Sequence, residues 1–323
     1  MIQKGNGGKN FFNAPWKFWK EVIWLNKQTL SNYGWIIIAV LVLVIMIALA
    51  TPFARYIFNG TDSAANGFYD SKQNALNAVG IDIEAIYVKT EADLMAALTK
   101  QQKHIKFGDD ITIHDTLVVP YNLTIDLNGH ALQQVVENKR IFEIESGVTL
   151  QIIDKFSEAY RHTFSIIDGN HFVMDDAGTI AIYAGYIGGS HGNFSPFLVR
   201  GTLIIDSITI AGNYCSGDNG VFAILGGGHV TLNNMTIMNN IADGDGGISK
   251  LSSNATIEMN GGYFTSNEAN IGSTIYLNGG TFSMNSGRIG GNTARDKGGV
   301  YIVSGVIMQN AGAIEDPIID TRK

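Results

Sequence analysis

The sequence predicts an all-β fold, a right-handed single-stranded parallel β-helix, preceded by one N-terminal transmembrane helix and a short capping helix. Three observations carry this prediction. Glycine- and asparagine-rich stretches recur at steps of 27, 27 and 25 residues, sixteen apolar residues run from Trp35 to Ala50, and Thr90 precedes an amphipathic stretch. The composition of 38 Gly, 5 Pro and 16 % charged residues also argues against disorder, which favours proline and charge.

The apolar run predicts a transmembrane helix over residues 35–54, which contain no charged side chain. Twenty helical residues at about 1.5 Å each match the roughly 30 Å hydrocarbon core of a bilayer. Only Arg55 follows the run closely, whereas five lysines precede it: Lys4, Lys9, Lys17, Lys20 and Lys27. The positive-inside rule therefore predicts a single-pass cell-membrane protein with a cytoplasmic N-terminus and an extracytoplasmic β-helix. An uncleaved anchor is favoured over a signal peptide cleaved after Ala48-Leu49-Ala50.

The segments on either side of the span have different characters. Residues 1–34 are predicted to be a basic, cytoplasmic, juxtamembrane amphipathic segment, since Trp and Phe alternate with lysines as in helices lying on the inner leaflet. Its stretch "FWKEVIWLNK" resembles the amphipathic helix of the SecE subunit of the protein translocase, although the later Trp-Pro element of that family is missing. The resemblance implies a translocase-associated membrane subunit as one alternative function. Residues 55–88 lack periodicity and predict an extracytoplasmic tether.

Residues 89–110 predict a capping helix followed by a first strand. Thr90 can cap a helix whose Leu94, Ala97 and Leu98 share one face. Such a helix can cover the open end of a solenoid, an edge that otherwise invites aggregation.

The repeat predicts the β-helix itself, over residues 111–316. Apolar residues stand ten positions before each repeated asparagine, at Leu203, Val230, Ile257 and Phe282. Apolar residues two apart predict short strands with one buried face. A unit of 25–27 residues cannot close a core alone, so stacked units predict a solenoid of about eight coils, with 317–323 as a tail.

The asparagines of the repeat predict a structural ladder. They recur at one phase and comprise Asn213, Asn240, Asn267 and Asn292, with Asp316 in the same column of a weaker copy. In such a column a side-chain amide can donate to the turn above or below it and so satisfy buried turn backbone.

Two stretches carry a resemblance to a known family: "GGTFSMNSGRIGGNTARDKGGVY" (279–301) and "MTIMNNIADGDGGI" (235–248). They resemble coils of pectate-lyase-like β-helices, especially the Gly-Gly-[Ile/Val] and Phe-x-x-Asn repeats of polymorphic outer-membrane proteins and related bacterial adhesins. "FTSN" (264–267) keeps the short motif, whereas residues 289–292 have Ile in place of Phe. The resemblance implies a membrane-anchored bacterial cell-surface protein that serves display or adhesion, with glycans or surface proteins as partners beside the lipid bilayer.

The fold also hosts carbohydrate-active enzymes, so a polysaccharide lyase or glycoside hydrolase is the other alternative. The pair Asp175-Asp176 and His191, in "SHGN", resemble the adjacent aspartates and the His-Gly of glycoside hydrolases on this fold. Two carboxylates can act as acid and base. The family's Asn-Thr-Asp ahead of the pair and Arg-x-Lys after it are missing, so no residue is assigned as catalytic and an enzyme is the less favoured hypothesis.

Cofactors and nucleic acid are not expected. Asp243 and Asp245 can offer oxygens to Ca²⁺, yet they lie in a Gly-rich turn where Asp serves turn geometry, so Ca²⁺ is only an alternative. The chain carries a net charge of −7, and its basic N-terminal segment leaves the β-rich body more acidic still. An acidic body disfavours a nucleic-acid ligand.

Overall fold

A computed structural model describes residues 85–154, 162–167, 171–174, 180–182 and 185–322. All of them belong to the second of two units into which the chain divides, Glu84–Lys323. The predicted amphipathic segment 1–34, the predicted span 35–54 and residues 55–84 of the predicted tether lie outside the described residues. Among the described residues, no helix has the length and apolar character needed to cross a membrane.

The described elements are strands apart from one helix, α1 (Glu91–Thr99). The strands of the first half are β1 (Ile86–Val88), β2 (His104–Phe107), β3 (Ile111–Ile113), β4 (Leu117–Val119), β5 (Leu123–Asp126), β6 (Ala131–Gln134), β7 (Phe142–Ile144), β8 (Thr149–Ile153), β9 (His162–Ile167), β10 (His171–Met174), β11 (Ile180–Ile182), β12 (Tyr186–Gly188), β13 (His191–Gly192) and β14 (Phe197–Val199). Those of the second half are β15 (Thr202–Asp206), β16 (Thr209–Ala211), β17 (Tyr214–Cys215), β18 (Phe222–Ile224), β19 (His229–Asn233), β20 (Met235–Met238), β21 (Ile241–Ala242), β22 (Ser249–Ser252), β23 (Thr256–Thr265), β24 (Glu268–Ile271), β25 (Ile275–Ile289), β26 (Thr293–Lys297), β27 (Val300–Gln309), β28 (Ala313–Ile314) and β29 (Ile318–Asp320).

All of these strands except β9, β10 and β11 stack in parallel into three long faces and one short face. The first face runs β1–β2–β5–β8–β15–β19–β23–β25–β27, and the second runs β3–β6–β12–β16–β20–β23–β25–β28. The third consists of β4–β7–β14–β18 and then β22–β25–β27–β29, joined where Phe222 N–H donates to the Ile248 carbonyl at 2.9 Å. The short face is β13–β17–β21–β24–β26. Strands β23, β25 and β27 bend around corners and contribute to more than one face.

The protein is therefore a parallel β-solenoid of about six turns. This number is lower than the eight coils that the sequence predicts, because one turn carries an insertion: Thr149 of β8 pairs with Thr202 of β15, 53 residues later, and β9–β11 lie between them. In the regular part Thr202 pairs with His229, 27 residues later. At the N-terminal end His104 pairs with Thr124, and at the C-terminal end Val300 pairs with Ile318, which are much shorter steps.

The core consists of columns of apolar side chains that point inward from successive turns. One column of the first face is at most 1 % exposed and comprises Leu150, Leu203, Val230, Ile257 and Phe282, four of which are the residues predicted from the repeat. Burial of each such side chain contributes about 1.5–3 kcal/mol. On the third face, three buried rings stack along the rod, with centroids 5.7 Å apart for Phe142 and Phe197 and 5.3 Å apart for Phe197 and Phe222.

The repeated glycines allow a left-handed backbone conformation and a close backbone contact at the corner between the short and third faces. Four stacked positions have a φ in the left-handed region, namely Asn219 (66°), Gly246 (74°), Gly272 (63°) and Gly298 (56°). Glycine adopts that conformation without steric cost, and asparagine tolerates it better than most residues. The following position packs backbone against backbone: a Cβ on Gly247 would lie 2.0 Å from the Ser273 carbonyl oxygen. The spacing of Gly-Gly pairs therefore reflects this corner.

The predicted capping helix is confirmed. The Thr90 hydroxyl accepts from the Asp93 N–H at 3.1 Å, and the Asp93 carboxylate accepts from the Thr90 N–H at 3.1 Å, which completes a capping box. Leu94 and Ala97 are buried and Leu98 packs against the core. The predicted tether boundary is wrong at its end, because Ile86–Val88 within it forms strand β1 and pairs with β2.

An insertion interrupts the stack after β8. Strands β9, β10 and β11 form a separate antiparallel sheet, in which β9 is central, before the chain resumes the solenoid at β12. The sequence does not predict this sheet, since the antiparallel strands share apolar alternation with the solenoid strands.

The phenylalanine stack predicts a large stability cost for Phe197→Ala. Phe197 lies between two other buried rings, so truncation leaves a cavity that the paired strands cannot close, and we expect a loss of about 3–5 kcal/mol. Urea unfolding of the full chain measures this loss. Tyr263→Ala is the control because Tyr263 is 59 % exposed, and its loss should stay within roughly 0.5 kcal/mol. Equal losses would show that the stack is not packed as described.

Candidate functional site

The four predicted ladder residues lie in one column where the chain passes from the second face to the short face. Asn213, Asn240 and Asn267 are fully buried and Asn292 is partly buried. The Asn240 Oδ1 accepts from both the backbone N–H (3.2 Å) and the Nδ2 (2.8 Å) of Asn213. Asn267 receives the same two bonds from Asn240 at 3.1 and 2.9 Å, and Asn292 receives them from Asn267, both at 2.9 Å. Each amide therefore joins one turn to the next.

The two ends of this ladder differ in chemistry. At the C-terminal end, Asp316 accepts from the Asn292 Nδ2 at 2.6 Å and from the Gly291 N–H at 2.9 Å. A carboxylate suits this position because the last member only has to accept. At the N-terminal end, the Asn213 Oδ1 accepts from the Ser190 N–H at 3.1 Å. The ladder thus runs in one direction, with every amide donating toward the C-terminal end.

A second asparagine ladder was not predicted. Its amides donate in the opposite direction, with Nδ2 to Oδ1 distances of 3.0 Å for Asn260 to Asn233, 2.7 Å for Asn285 to Asn260 and 2.7 Å for Asn310 to Asn285. These side chains are partly or fully exposed. The signal was present in the sequence, since the four residues recur at nearly the same step as the first ladder, at a different phase.

The candidate catalytic residues are only partly described. Asp175 and Asp176 lie outside the described residues. His191 is on strand β13, where its ring stacks on that of Tyr214 at a centroid distance of 4.6 Å and its Nδ1 lies 3.8 Å from Glu137 Oε1. The phenol of Tyr214 donates to Asp243 Oδ2 at 2.5 Å, and this hydrogen bond raises the pKa of Tyr214, with burial adding to the shift. The structure therefore connects His191 to Asp243, two residues that the sequence placed in different sites.

This connection continues along the short face as a row of polar side chains. Arg295 donates to Asp243 Oδ1 at 3.3 Å and to the Ala242 carbonyl at 2.7 Å, and its Nη1 lies 3.4 Å from Glu268 Oε1. We call these residues the polar row, which comprises His191, Tyr214, Asp243, Glu268 and Arg295. Its members lie on, or in the case of Asp243 directly after, five successive strands of the short face and are partly or fully exposed.

The two candidate calcium ligands have different partners. Asp243 belongs to the polar row, whereas Asp245 Oδ2 accepts from the Lys250 ammonium at 3.1 Å. In the part of the chain that the structure describes, no three His, Cys, Asp or Glu side chains cluster in a way that could hold a metal ion. Both carboxylates thus take part in ion pairs with cationic side chains.

A second exposed cluster lies around the Gly-rich corner, on the third face. Outward residues of three adjacent strands, Lys250, Tyr276 and Tyr301, are aligned in register, and the two tyrosine rings lie 5.4 Å apart with a 30° tilt. The Lys250 Nζ lies 4.8 Å from the centre of the Tyr276 ring, and the Lys297 Nζ lies 6.0 Å from that of Tyr301. We call this cluster the tyrosine platform, comprising Lys250, Tyr276, Lys297 and Tyr301.

Two carboxylates accept hydrogen bonds from the charged Lys250 ammonium group. Its ammonium donates to Asp218 Oδ2 at 2.9 Å as well as to Asp245. Partial burial lowers the pKa of Lys250, but the bonds to Asp218 and Asp245 outweigh burial, so the pKa lies above its ordinary value. Burial also raises the pKa of Tyr276, with Lys250 opposing the shift. Both groups therefore keep their protons at neutral pH.

The platform was not predicted from the sequence, because its members differ in residue type. Lys250, Tyr276 and Tyr301 recur at the step of the repeat, but only the last two are identical, whereas the buried ladder has asparagine in four turns. An outward position that carries a large aromatic residue in consecutive turns is the signal that could have found it.

Comparison with known proteins does not place the chain in a family: no protein-family model, no curated protein and no solved structure matches it.

The buried ladder predicts that Asn240→Leu destabilises the rod. The change removes the acceptor for two donors of Asn213 and the donor for Asn267, leaving buried polar groups unpaired, so we expect a loss of roughly 3–5 kcal/mol and a fall in Tm of about 10 °C. Differential scanning calorimetry of the full chain measures it.

Asn260→Leu is the matched control, since it makes the same substitution in the solvent-facing ladder. Water can replace its lost bonds, so we expect a loss of about 1 kcal/mol or less. Equal losses for the two variants would contradict the structural role of the buried column.

Proposed function

We propose that the protein is a membrane-anchored bacterial cell-surface protein whose right-handed β-helix binds glycans and so serves display or adhesion. The observation that carries the proposal is the tyrosine platform, two neighbouring outward rings tilted by 30°, each with a lysine ammonium over it. The membrane anchor and the cell-surface location rest on the apolar run at 35–54 and the lysines before it.

The tyrosine platform offers aromatic, hydroxyl and ammonium groups that can contact a sugar ring. A pyranose presents C–H groups on its faces, and these can pack against the outward part of each aromatic ring that the neighbouring ring and lysine leave uncovered. Tyrosine adds a phenolic hydroxyl that can donate to or accept from a sugar hydroxyl. The lysine ammonium groups can donate to ring and hydroxyl oxygens at either end of the pair.

The scaffold makes this platform rigid before any ligand arrives. Tyr276 and Tyr301 stand on β25 and β27, whose backbones pair from Ile275↔Val300 to Leu277↔Ile302 over a buried core. Side chains held on paired strands lose little conformational freedom on binding, which favours affinity from a small contact area.

The polar row gives the same region a set of hydrogen-bonding groups. Imidazole, phenol, carboxylate and guanidinium groups follow one another along the rod, and Arg295 and Lys297 of β26 carry the row to the edge of the platform. A linear glycan lying along the rod axis would meet stacking and hydrogen-bonding groups from successive turns. This arrangement supports binding to an extended chain better than binding to a single sugar.

The tyrosine platform predicts that Tyr276→Ala with Tyr301→Ala abolishes glycan binding. Loss of both stacking surfaces should weaken binding at least tenfold, measured on a glycan array with the full chain in lipid nanodiscs. Tyr263→Ala is the control, since Tyr263 is exposed on the second face, where it pairs in register with Arg288.

Binding that survives in the double variant would contradict the proposal. Cleavage of an array glycan by the unmodified chain, detected as released oligosaccharide, would instead favour the carbohydrate-active enzyme. Copurification of the chain with the protein translocation channel would favour the translocase-associated alternative.

A further inference from the structure

The side chains around the tyrosine platform carry more negative than positive charge. Within the polar row, the platform and the residues that contact them are six carboxylates, Glu137, Asp218, Asp243, Asp245, Glu268 and Asp296, against three cations, Lys250, Arg295 and Lys297. With the histidine neutral, the region thus has an excess of three negative charges.

The cations in this region are already paired. The Lys250 ammonium has three N–H donors, and two of them are directed at carboxylates 2.9 and 3.1 Å away. Arg295 contacts Asp243 and Glu268, so its charge is also matched. Lys297 lies 3.9 Å from Asp296 and 6.0 Å from the Tyr301 ring centre. A ligand carboxylate that approached one of these three cations would have to displace the carboxylate already paired with it. Otherwise it would come close to aspartate oxygens and be repelled by them.

From this arrangement we propose that the platform selects neutral glycan chains and rejects uronic acid chains of the same length. The inference rests on the proposed glycan-binding function and names its substrate class. Stacking on Tyr276 and Tyr301 is available to both kinds of sugar, whereas the repulsion acts only on the charged one. Selectivity therefore comes from Asp218 and Asp245, which hold Lys250 between them.

Salt separates this electrostatic selection from a difference in shape. The screening length falls from about 10 Å at 0.1 M to about 3 Å at 1 M ionic strength. A repelled uronate chain should therefore bind more tightly as salt is added, whereas a neutral chain should not respond. A site that rejects the carboxylate by steric exclusion would show no such change.

The test uses immobilised linear oligosaccharides in pairs that differ only in whether C6 is a hydroxymethyl or a carboxylate, as in glucose and glucuronate hexamers and galactose and galacturonate hexamers. The full chain in nanodiscs is titrated over each pair at 0.05 M and 1 M NaCl. We expect the neutral member to bind about fivefold to tenfold more tightly at low salt, with the difference reduced to within about twofold at high salt.

The diagnostic variant is Asp218→Asn with Asp245→Asn, which keeps the side-chain size and frees the Lys250 charge. We expect uronate binding to rise at least fivefold and neutral binding to stay within about twofold. The control, Glu145→Gln with Glu315→Gln, removes the same number of charges outside the site and should change neither.

The possible results separate failure of the inference from failure of the proposed glycan-binding function. Uronate binding equal to or tighter than neutral binding at low salt overturns the inference and leaves the glycan-binding function in place. Preference for neutral glycans that neither salt nor the double variant changes also overturns it, because charge would not be the cause. Failure of every member of every pair to bind overturns the glycan-binding function itself.

Discussion

The solenoid depends on one constraint: polar groups that its turns bury between coils must find partners along the rod axis. At the corner occupied by Asn213, Asn240 and Asn267, backbone and side-chain N–H groups are sealed from water. Each buried group left without a partner costs about 1–3 kcal/mol. An asparagine amide both donates and accepts, so one residue repeated in every turn satisfies the corner, and Asp316 ends the series as an acceptor.

The scaffold could be predicted from the sequence because its requirements are local and recur in every turn. Each scaffold residue satisfies a requirement of a single backbone position. Examples are the hydrogen bonds of the buried asparagines, the positive φ of the corner glycines and the helix cap at Thr90. The number of full turns was overestimated, since nothing in the periodicity shows that the turn between β8 and β15 carries a long insertion. The antiparallel β9–β11 sheet occurs once in the chain, so no sequence repeat could predict it.

The candidate site was harder to predict, because its contacts join residues from different turns that share no pattern. His191 and Asp243 were singled out for separate reasons, and Tyr214, which connects them, carries no motif. The tyrosine platform requires knowing which residues point outward and which turns are neighbours. Inward and corner positions are fixed by packing, so the outward positions are free to differ from turn to turn. Binding residues on a solenoid are therefore expected at outward positions, where the residue type differs from turn to turn.

The rigid core also explains why such a site can be selective. Paired strands hold the outward side chains at fixed separations, so the rings of Tyr276 and Tyr301 and the carboxylates around Lys250 keep their geometry without a ligand. Every element of the site thus rests on the stability of the stack beneath it.

Amide hydrogen exchange resolved by residue tests this dependence most directly. The backbone N–H groups of Asn213, Asn240 and Asn267 each donate to the next asparagine in the column, so they should exchange only when the solenoid unfolds globally, as slowly as the core strand amides. Exchange of these three amides at the rate of exposed turn amides would show that the column opens independently. That result would contradict the claim that the asparagine ladder holds the turns together.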